Sequence, residues 1–368
     1  MESESALKNL INENVIKKIA KDILKHYPSF DVKKFNALSA QINTLELKAR
    51  VRLLAAELKE LLPPDYSKAL KILVKVMNED HLSGFELWPF SEFIGQFGLD
   101  HFDESMEAMY VLTQRFTSEF AIRSFFIRDH KKVLDVFEKW ARDKNVHVRR
   151  LVSEGSRPLL PWGERLILFV KDPMHTVPLL EILKNDDEIY VRKSVANHLN
   201  DISKHHPLLV IKLLRRWEMD CEGIHQDKIT WIKRHALRTL IKKGHPEAMT
   251  FMGVDIKPKI KLQRFSLKQK KLTMGDKFSF NLVIESTSPR KQKLLIDYVI
   301  HFMKSNKTHG HKVFKLTAIE IEGKENIKIE KIHHLKKITT MKFYSGIQYL
   351  SIQINGEILK KVSFKLEV

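Results

Sequence analysis

A chain of 368 residues is long enough for two ordinary domains, each with a real core, and its 64 Lys and Arg against 45 Asp and Glu leave a net charge of +19. The single cysteine, Cys221, excludes an intrachain disulfide framework and fits a reducing compartment. No run approaches the roughly 18 apolar residues of a membrane span, and the opening residues lack the basic start and apolar core of a secretory signal, so a soluble, cytoplasmic protein is expected.

The charge is uneven. From Pro258 to Val368 there are 23 Lys and Arg against 9 Asp and Glu; before it, 41 against 36. The C-terminal third is therefore the cationic part, with phosphate as its expected partner. An anionic membrane is the competing partner, but no polybasic amphipathic helix or lipidation signal supports it.

In chain order, the first 24 residues read as an amphipathic helix with Leu7, Ile11, Ile16, Ile19 and Ile23 near one face. Helical spacing then continues to about Asp255, cut by His26-Tyr27-Pro28, Pro63-Pro64 and Ser83-Gly84. Leu47, Val51, Leu54, Leu58 and Leu61 form one stripe that Pro63 ends, and Pro63-Pro64-Asp65 starts a helix over Tyr66 to Met77. Val148-Arg149-Arg150, Val191-Arg192-Lys193 and Ile232-Lys233-Arg234 recur about 40 residues apart, each predicted to open an apolar helix, with Ala121-Ile122-Arg123 as a looser copy. Two helices per unit at that period indicate a HEAT-like solenoid, whose concave face suits a long ligand.

The stretch His147 to Arg165 departs from this pattern. A short amphipathic run stops at Gly155, expected to supply a positive φ, and SRPLLPWG follows as a stiff turn with Trp162 at its tip. Glu154, Arg157 and Trp162 thus fall within nine residues on an irregular segment. A buried Glu–Arg pair with Trp162 as core packing would produce the same letters, so structure and site are both open readings of these residues. Trp140, Trp217 and Trp231 sit on apolar stripes and read as core.

After Val254-Asp255-Ile256-Lys257-Pro258 the period becomes two: Phe278, Phe280, Leu282 and Ile284, then Leu350, Ile352 and Ile354, then Val362, Phe364 and Leu366. Asn355-Gly356 between the last two runs signals a two-residue hairpin. About seven such runs suggest an immunoglobulin-like β-sandwich without the usual disulfide. The expected fold is thus mainly α: a HEAT-like solenoid over residues 1–256, then a small basic all-β sandwich over 257–368, read as a DNA contact, although a solvated lysine face would look the same.

Four segments add something specific: Leu87-Trp88-Pro89-Phe90, LTQRFTSEFAIRSFF (Leu112 to Phe126), RRLVSEGSRPLLPWG (Arg149 to Gly163) and VRKSVANHLNDISKHHP (Val191 to Pro207). Together they resemble the AlkC family of bacterial alkylbase DNA glycosylases, relatives of AlkD with a HEAT-like repeat fold, over about Leu87 to His245. Some members carry an immunoglobulin-like domain, in agreement with the β region. The resemblance implies hydrolysis of the N-glycosidic bond of N-methylated bases, chiefly 3-methyladenine and 3-methylcytosine, in double-stranded DNA, as part of base excision repair. It matches the family's carboxylates to Glu119, Glu154 and Asp201, its aromatic to Trp162 and a basic residue to Arg157.

Those residue types suit that chemistry. Alkylation at a ring nitrogen makes the base cationic, so it departs neutral without a general acid, and carboxylates stabilise the oxocarbenium-like sugar and orient water. Asp201 or Glu154 is assigned this role, with Glu119 in support; Asp201 capping a turn is the plainer alternative. Trp162 is the candidate for stacking on the lesion. Arg149, Arg150, Arg157, Arg192 and Arg234 would hold phosphates, joined by backbone N–H groups where their helices begin. Recurrent helix-start cations can also simply brace neighbouring repeats. His205-His206, His333-His334 and His309-Gly310-His311 lack a metal-binding geometry, so neither metal nor cofactor is expected. No lysine in the matched segments stands out as a Schiff-base nucleophile, which favours a monofunctional hydrolase. A monomer at the bacterial nucleoid is the implied setting. The rival readings are a non-catalytic HEAT scaffold for damaged or bent DNA and a protein-binding adaptor solenoid; the net charge argues against the second.

Overall fold

The computed structural model describes residues 7–337 and 341–368. Among the described residues, helices run as far as Phe251 and eight strands follow from Ile260. The contacts divide it into two compact units, Met1–His205 with Arg216–Ala236, and His206–Arg215 with Leu237–Val368. No helix among the described residues is long and apolar enough to cross a membrane.

Local signals set the helix starts. Asn12 caps the Glu13–His26 helix by accepting from the N–H groups of Asn14 and Val15, and Asp65 caps Tyr66–Met77 by accepting from Lys68 N–H. Val15, Ile16, Ile19 and Ile23 form the buried face of the first of these. Leu7 is not part of that face: it lies in a separate one-turn 3-10 helix, Leu7–Leu10, and is exposed, because the Asn12 cap starts the helix proper after it. The first six residues of the expected helix lie outside the described region.

The HEAT-like stacking is clear around the repeated cations. The Ile189–Ser203 helix packs between Val146–Gly155 and Ile224–Ala236. In the first two of these, the Val-Arg-Arg and Val-Arg-Lys copies occupy the third to fifth positions. The third copy does not open its helix: Ile232-Lys233-Arg234 falls in the last turns of Ile224–Ala236, and the residue in phase with Arg150 and Lys193 is Lys228. Apolar letters recurring near the right period do not set where a helix begins; the preceding turn does.

The strands are β1 (Ile260–Leu267), β2 (Lys271–Thr273), β3 (Lys277–Ser286), β4 (Gln292–Met303), β5 (His309–Ile321), β6 (Asn326–His334), β7 (Gly346–Ile354) and β8 (Glu357–Glu367). They make two sheets, β1-β3-β6 and β2-β8-β7-β4-β5, antiparallel except for the β2/β8 pair. Phe278, Phe280, Leu282 and Ile284 of β3 face Leu350, Ile352 and Ile354 of β7 across a single core, as alternation requires. Asn355 and Gly356 both take positive φ, 45° and 84°, the type I′ geometry that suits right-twisted strands. Gly356 also meets a second glycine: a Cβ there would lie 2.2 Å from Gly244 Cα.

The boundary expected between residues 256 and 257 lies inside the second unit. Gln353 donates to Lys242 O at 2.9 Å, Asn355 Nδ2 to Asp255 O at 2.8 Å, and Lys293 Nζ to Met252 O at 3.1 Å. These bonds join the last helical residues to the sandwich.

Candidate active site

The site grows from the segment that follows the Val146–Gly155 helix. Asn145 caps that helix, and the chain leaves it at Ser156 with φ −91°. Gly155 is not the left-handed residue expected there. Its glycine is required by contact: a Cβ would lie 2.8 Å from Ile122 Cγ2 of the neighbouring Ala121–Trp140 helix. The positive φ falls instead on Trp162, at 65°, a conformation costly for a side chain of that size.

Arg123 holds the loop in shape. Its side chain is buried, and its guanidinium donates to three carbonyls, Glu164 O (2.5 Å), Gly155 O (3.0 Å) and Arg157 O (2.8 Å), closing both ends of the segment. Burial, with repulsion from Arg157, lowers its pKa to about 10, so it remains charged at neutral pH.

A chain of alternating charges runs beside the loop. Arg150 donates to Glu119 Oε2 at 2.5 Å and lies 3.4 Å from Glu154 Oε1. Arg157 donates to Glu154 Oε1 at 2.7 Å and to Asp201 Oδ2 at 2.8 Å. Ser194 donates to Glu154 Oε2 at 2.6 Å, and Lys204 to Asp201 Oδ1 at 2.9 Å. Burial works against the charge of Glu154, but the Arg150 and Arg157 guanidinia outweigh it and hold its pKa below the usual carboxylate range. The same carboxylates, against the same burial cost, raise Arg150 and Arg157. Glu119 is bonded only through Oε2, by Thr117 and Arg150; its Oε1 has no protein donor among the described residues.

Aromatic rings wall the space above these charges. Trp88, buried, stacks on Phe120 at 4.9 Å with 17° between planes, and on Trp162 at 6.5 Å with 12°. Arg150 lies over the Tyr190 ring at 5.3 Å. With Phe85, Phe116, Leu160 and Pro161 they enclose an open cleft of about 460 Å³, into which Glu119, Arg150, Glu154 and Arg157 also project. Such a space can stack a cationic ring and offer it carboxylate oxygen.

The structure therefore gathers Glu119, Glu154, Arg150, Arg157 and Trp162 around one cleft. Asp201 does not line it: it is fully buried behind Arg157, with one oxygen on Arg157 and the other on Lys204. Arg149 pairs with Asp186 at 2.6 Å and donates to the carbonyls of Asp143 and Lys144. Arg192 donates to the carbonyls of Asp186 and Asp187. Both thus close the turns preceding their own helices. Arg234 is exposed and outside the cleft lining.

Trp88, Phe120, Tyr190 and Arg123 were not singled out from the sequence as site residues. Phe116 and Phe120, four apart in RFTSEF, and the Arg of Ala121-Ile122-Arg123 carried a signal; Trp88 and Tyr190 stand far from the loop in sequence and meet it only in the fold. His198 is also buried beneath the site, its Nδ1 on Ser153 O at 3.0 Å and its Nε2 on Thr176 Oγ1 at 3.2 Å. Burial lowers its pKa to about 4, so the ring is neutral, with Nδ1–H donated to the carbonyl.

Comparison with known proteins places the chain in a family. Residues 116–240 match the family model described as DNA alkylation repair enzyme, and residues 261–368 match that of the C-terminal Ig-like domain of the uncharacterised protein YhaZ. The uncharacterised YhaZ of Bacillus subtilis (strain 168) is 39% identical over 362 residues, 98% of this chain and 99% of that protein. The solved structure of the Pseudomonas fluorescens alkylpurine DNA glycosylase AlkC, bound to DNA containing an abasic site analog, superposes with a TM-score of 0.91. It is 36% identical, with 99% of this chain and 100% of that chain covered. A helical-repeat part, an Ig-like part and a full-length match thus agree: this chain belongs to the AlkC-type DNA glycosylases of the DNA alkylation repair family.

Proposed function

We propose that the protein hydrolyses the N-glycosidic bond of cationic N-methylated bases, 3-methyladenine and 3-methylcytosine, in double-stranded DNA, as a monofunctional enzyme. The observation that carries this is the pairing, in one cleft, of an aromatic wall of Trp88, Phe120, Trp162 and Tyr190 with the carboxylates of Glu119 and Glu154. The positive ring stacks on the aromatic faces. As the C1′–N bond breaks, its electron pair neutralises the methylated ring, and the positive charge passes to the sugar. Water then adds to C1′ and gives its proton to a carboxylate, so no protonation of the leaving base is needed.

The geometry supports Glu119 as the carboxylate that meets the water, because Oε1 is the one oxygen of the three acidic side chains with no protein donor among the described residues. Glu154 supplies fixed negative charge. Asp201 acts through Arg157 as a positioning residue, which modifies the assignment favoured from sequence. The abasic-site DNA held by the P. fluorescens relative supports DNA as the ligand, with residues 1–256 as the glycosylase domain and the basic sandwich over 257–368 as a further DNA contact. Arg149 and Arg192 are occupied by protein carbonyls, so the phosphate contacts expected of them fall rather to lysines and arginines still facing solvent, Arg234 among them.

The test is release of free methylated base from methylated duplex DNA. Wild type releases it; Glu119→Gln and Glu154→Gln each lose about 100-fold or more in single-turnover rate while retaining DNA affinity. Asp201→Asn loses less than either. Because every carboxylate of the cluster is also bonded to an arginine, a non-catalytic scaffold for damaged DNA would preserve the same network. Binding without any base release by wild type would establish that alternative.

A further inference from the structure

The helix Leu47–Leu61 lies outside the 116–240 segment matched by the repair-enzyme family, yet it reaches the cleft. Lys48, in its first turn, donates from Nζ to the carbonyl oxygen of Trp162 and lies 5.8 Å from the centroid of the Phe120 ring. Its base is fixed: two residues on, the buried Arg50 donates to Lys8 O at 2.9 Å, Ile11 O at 2.8 Å and Leu45 O at 2.8 Å. Trp162 sits in the Leu160–Gly163 turn, whose ends Arg123 holds, and Lys48 is a further hold on its main chain from another helix. The Trp162 φ of 65° is one that a bulky L-residue adopts only when its surroundings impose it, and 54% of the residue's surface is exposed, so burial alone does not impose it. One face of the indole is ordered by Trp88. The main chain is closed on one side by Gly163 N–H, which donates to Leu160 O at 3.1 Å, and the Trp162 carbonyl itself accepts from Lys48.

We propose that Lys48 is a positioning residue: by holding the Trp162 carbonyl it fixes the left-handed backbone there, and with it the plane of the indole at the cleft mouth before DNA arrives. This rests on the reading of Trp162 as the ring that stacks on the damaged base. A lysine at a cleft rim could instead serve as a phosphate contact, and the two uses separate experimentally.

The experiment compares Lys48→Met, Trp162→Ala and the double variant for single-turnover release of 3-methyladenine. It adds the salt dependence of binding to a duplex with an abasic-site analogue. Lys48 is exposed, so Lys48→Met folds. The expected result is a rate lowered about tenfold, the scale of a freed left-handed residue, with no further loss when Lys48→Met is added to Trp162→Ala. Lys48→Arg, which can still donate to a carbonyl, restores most of the rate. The slope of log affinity against log salt stays unchanged. A slope smaller by about one with the rate intact, or losses that multiply in the double variant, would overturn the proposal in favour of a phosphate contact. A readout independent of activity is the near-ultraviolet circular dichroism difference between wild type and Trp162→Phe without DNA. This difference shrinks in the Lys48→Met background if the clamp orders the indole, and persists at full size if it does not. A shrunken difference in a protein that releases no methylated base would keep the clamp and discard the glycosylase reading.

Discussion

Replacing Arg157 by methionine tests the ion network on which the cleft is built. Methionine keeps the apolar stem and most of the length but removes the guanidinium, whose side chain is 8% exposed and bonded to Glu154 at 2.7 Å and Asp201 at 2.8 Å. Two buried carboxylates then lose their shared cation. Breaking a buried pair by removing one partner costs about 3–5 kcal/mol, because the remaining charge is left without compensation. Here neither carboxylate is wholly abandoned: Glu154 keeps Ser194 at 2.6 Å and Arg150 at 3.4 Å, and Asp201 keeps Lys204 at 2.9 Å. The expected loss is therefore near the lower end, about 3 kcal/mol at pH 7, a large part of a typical folding stability. Urea unfolding followed at 222 nm, which reports the helices, measures it. Adding Asp201→Asn removes one of the stranded charges and should return about 1–2 kcal/mol. The pH dependence has a fixed sign. Arg150 and Arg157 hold the folded Glu154 below its unfolded pKa, so the stability it supplies is present above the unfolded value and is lost as pH falls through the folded one. Removing Arg157 weakens that contribution, so the variant's deficit should be greatest at neutral pH and shrink below about pH 4.5. A deficit under about 1 kcal/mol at pH 7, or one that does not change with pH, would refute the argument and show that the carboxylates are solvated rather than dependent on Arg157.

Two further outcomes are open to direct measurement. His198 has its folded pKa lowered to about 4, so its contribution is fully present above the unfolded value of about 6.5 and is lost between there and pH 4. That loss amounts to about 3 kcal/mol, and the slope of stability against pH over this window should flatten in His198→Gln; an unchanged slope would exclude His198 as its source. Gly356→Ala places a Cβ 2.2 Å from Gly244 Cα, backbone against backbone in a positive-φ turn. It should lower the thermal midpoint of the sandwich by an amount equivalent to about 3 kcal/mol, whereas an alanine variant as stable as wild type would show that the two glycines do not need their close approach.

Much of the architecture was legible from local chemistry alone. Pro63-Pro64-Asp65 starts the Tyr66–Met77 helix because the Asp side chain caps it, whatever lies nearby. Asn355-Gly356 makes its hairpin because those two residues accept positive φ, and the alternation of Phe278, Phe280, Leu282 and Ile284 puts them on one face because the strand period is two. The stretch around Glu154, Arg157 and Trp162 stood out for the same reason: its prolines and glycines interrupt a helical pattern over a span short enough to read.

The rest depended on which residues met across the fold. Glu154 is joined to Ser194 forty residues away and Arg157 to Asp201 forty-four away, so which carboxylate faces the cleft and which is buried behind a guanidinium follows from how the Ile189–Ser203 helix stacks on Val146–Gly155. The packing of the Ala121–Trp140 helix on Val146–Gly155 makes Gly155 a contact glycine, and the positive φ falls on Trp162 instead. The helix-start arginines were visible as a period, but Arg149 and Arg192 were committed to turn carbonyls only once those turns had closed. Caps, turns and periodicity were set by the sequence itself because they are settled within a few residues. Charge partners and cleft walls were decided only by the tertiary structure, because an ion pair or a ring stack is chosen by distance in space, which a solenoid creates between residues whole repeats apart.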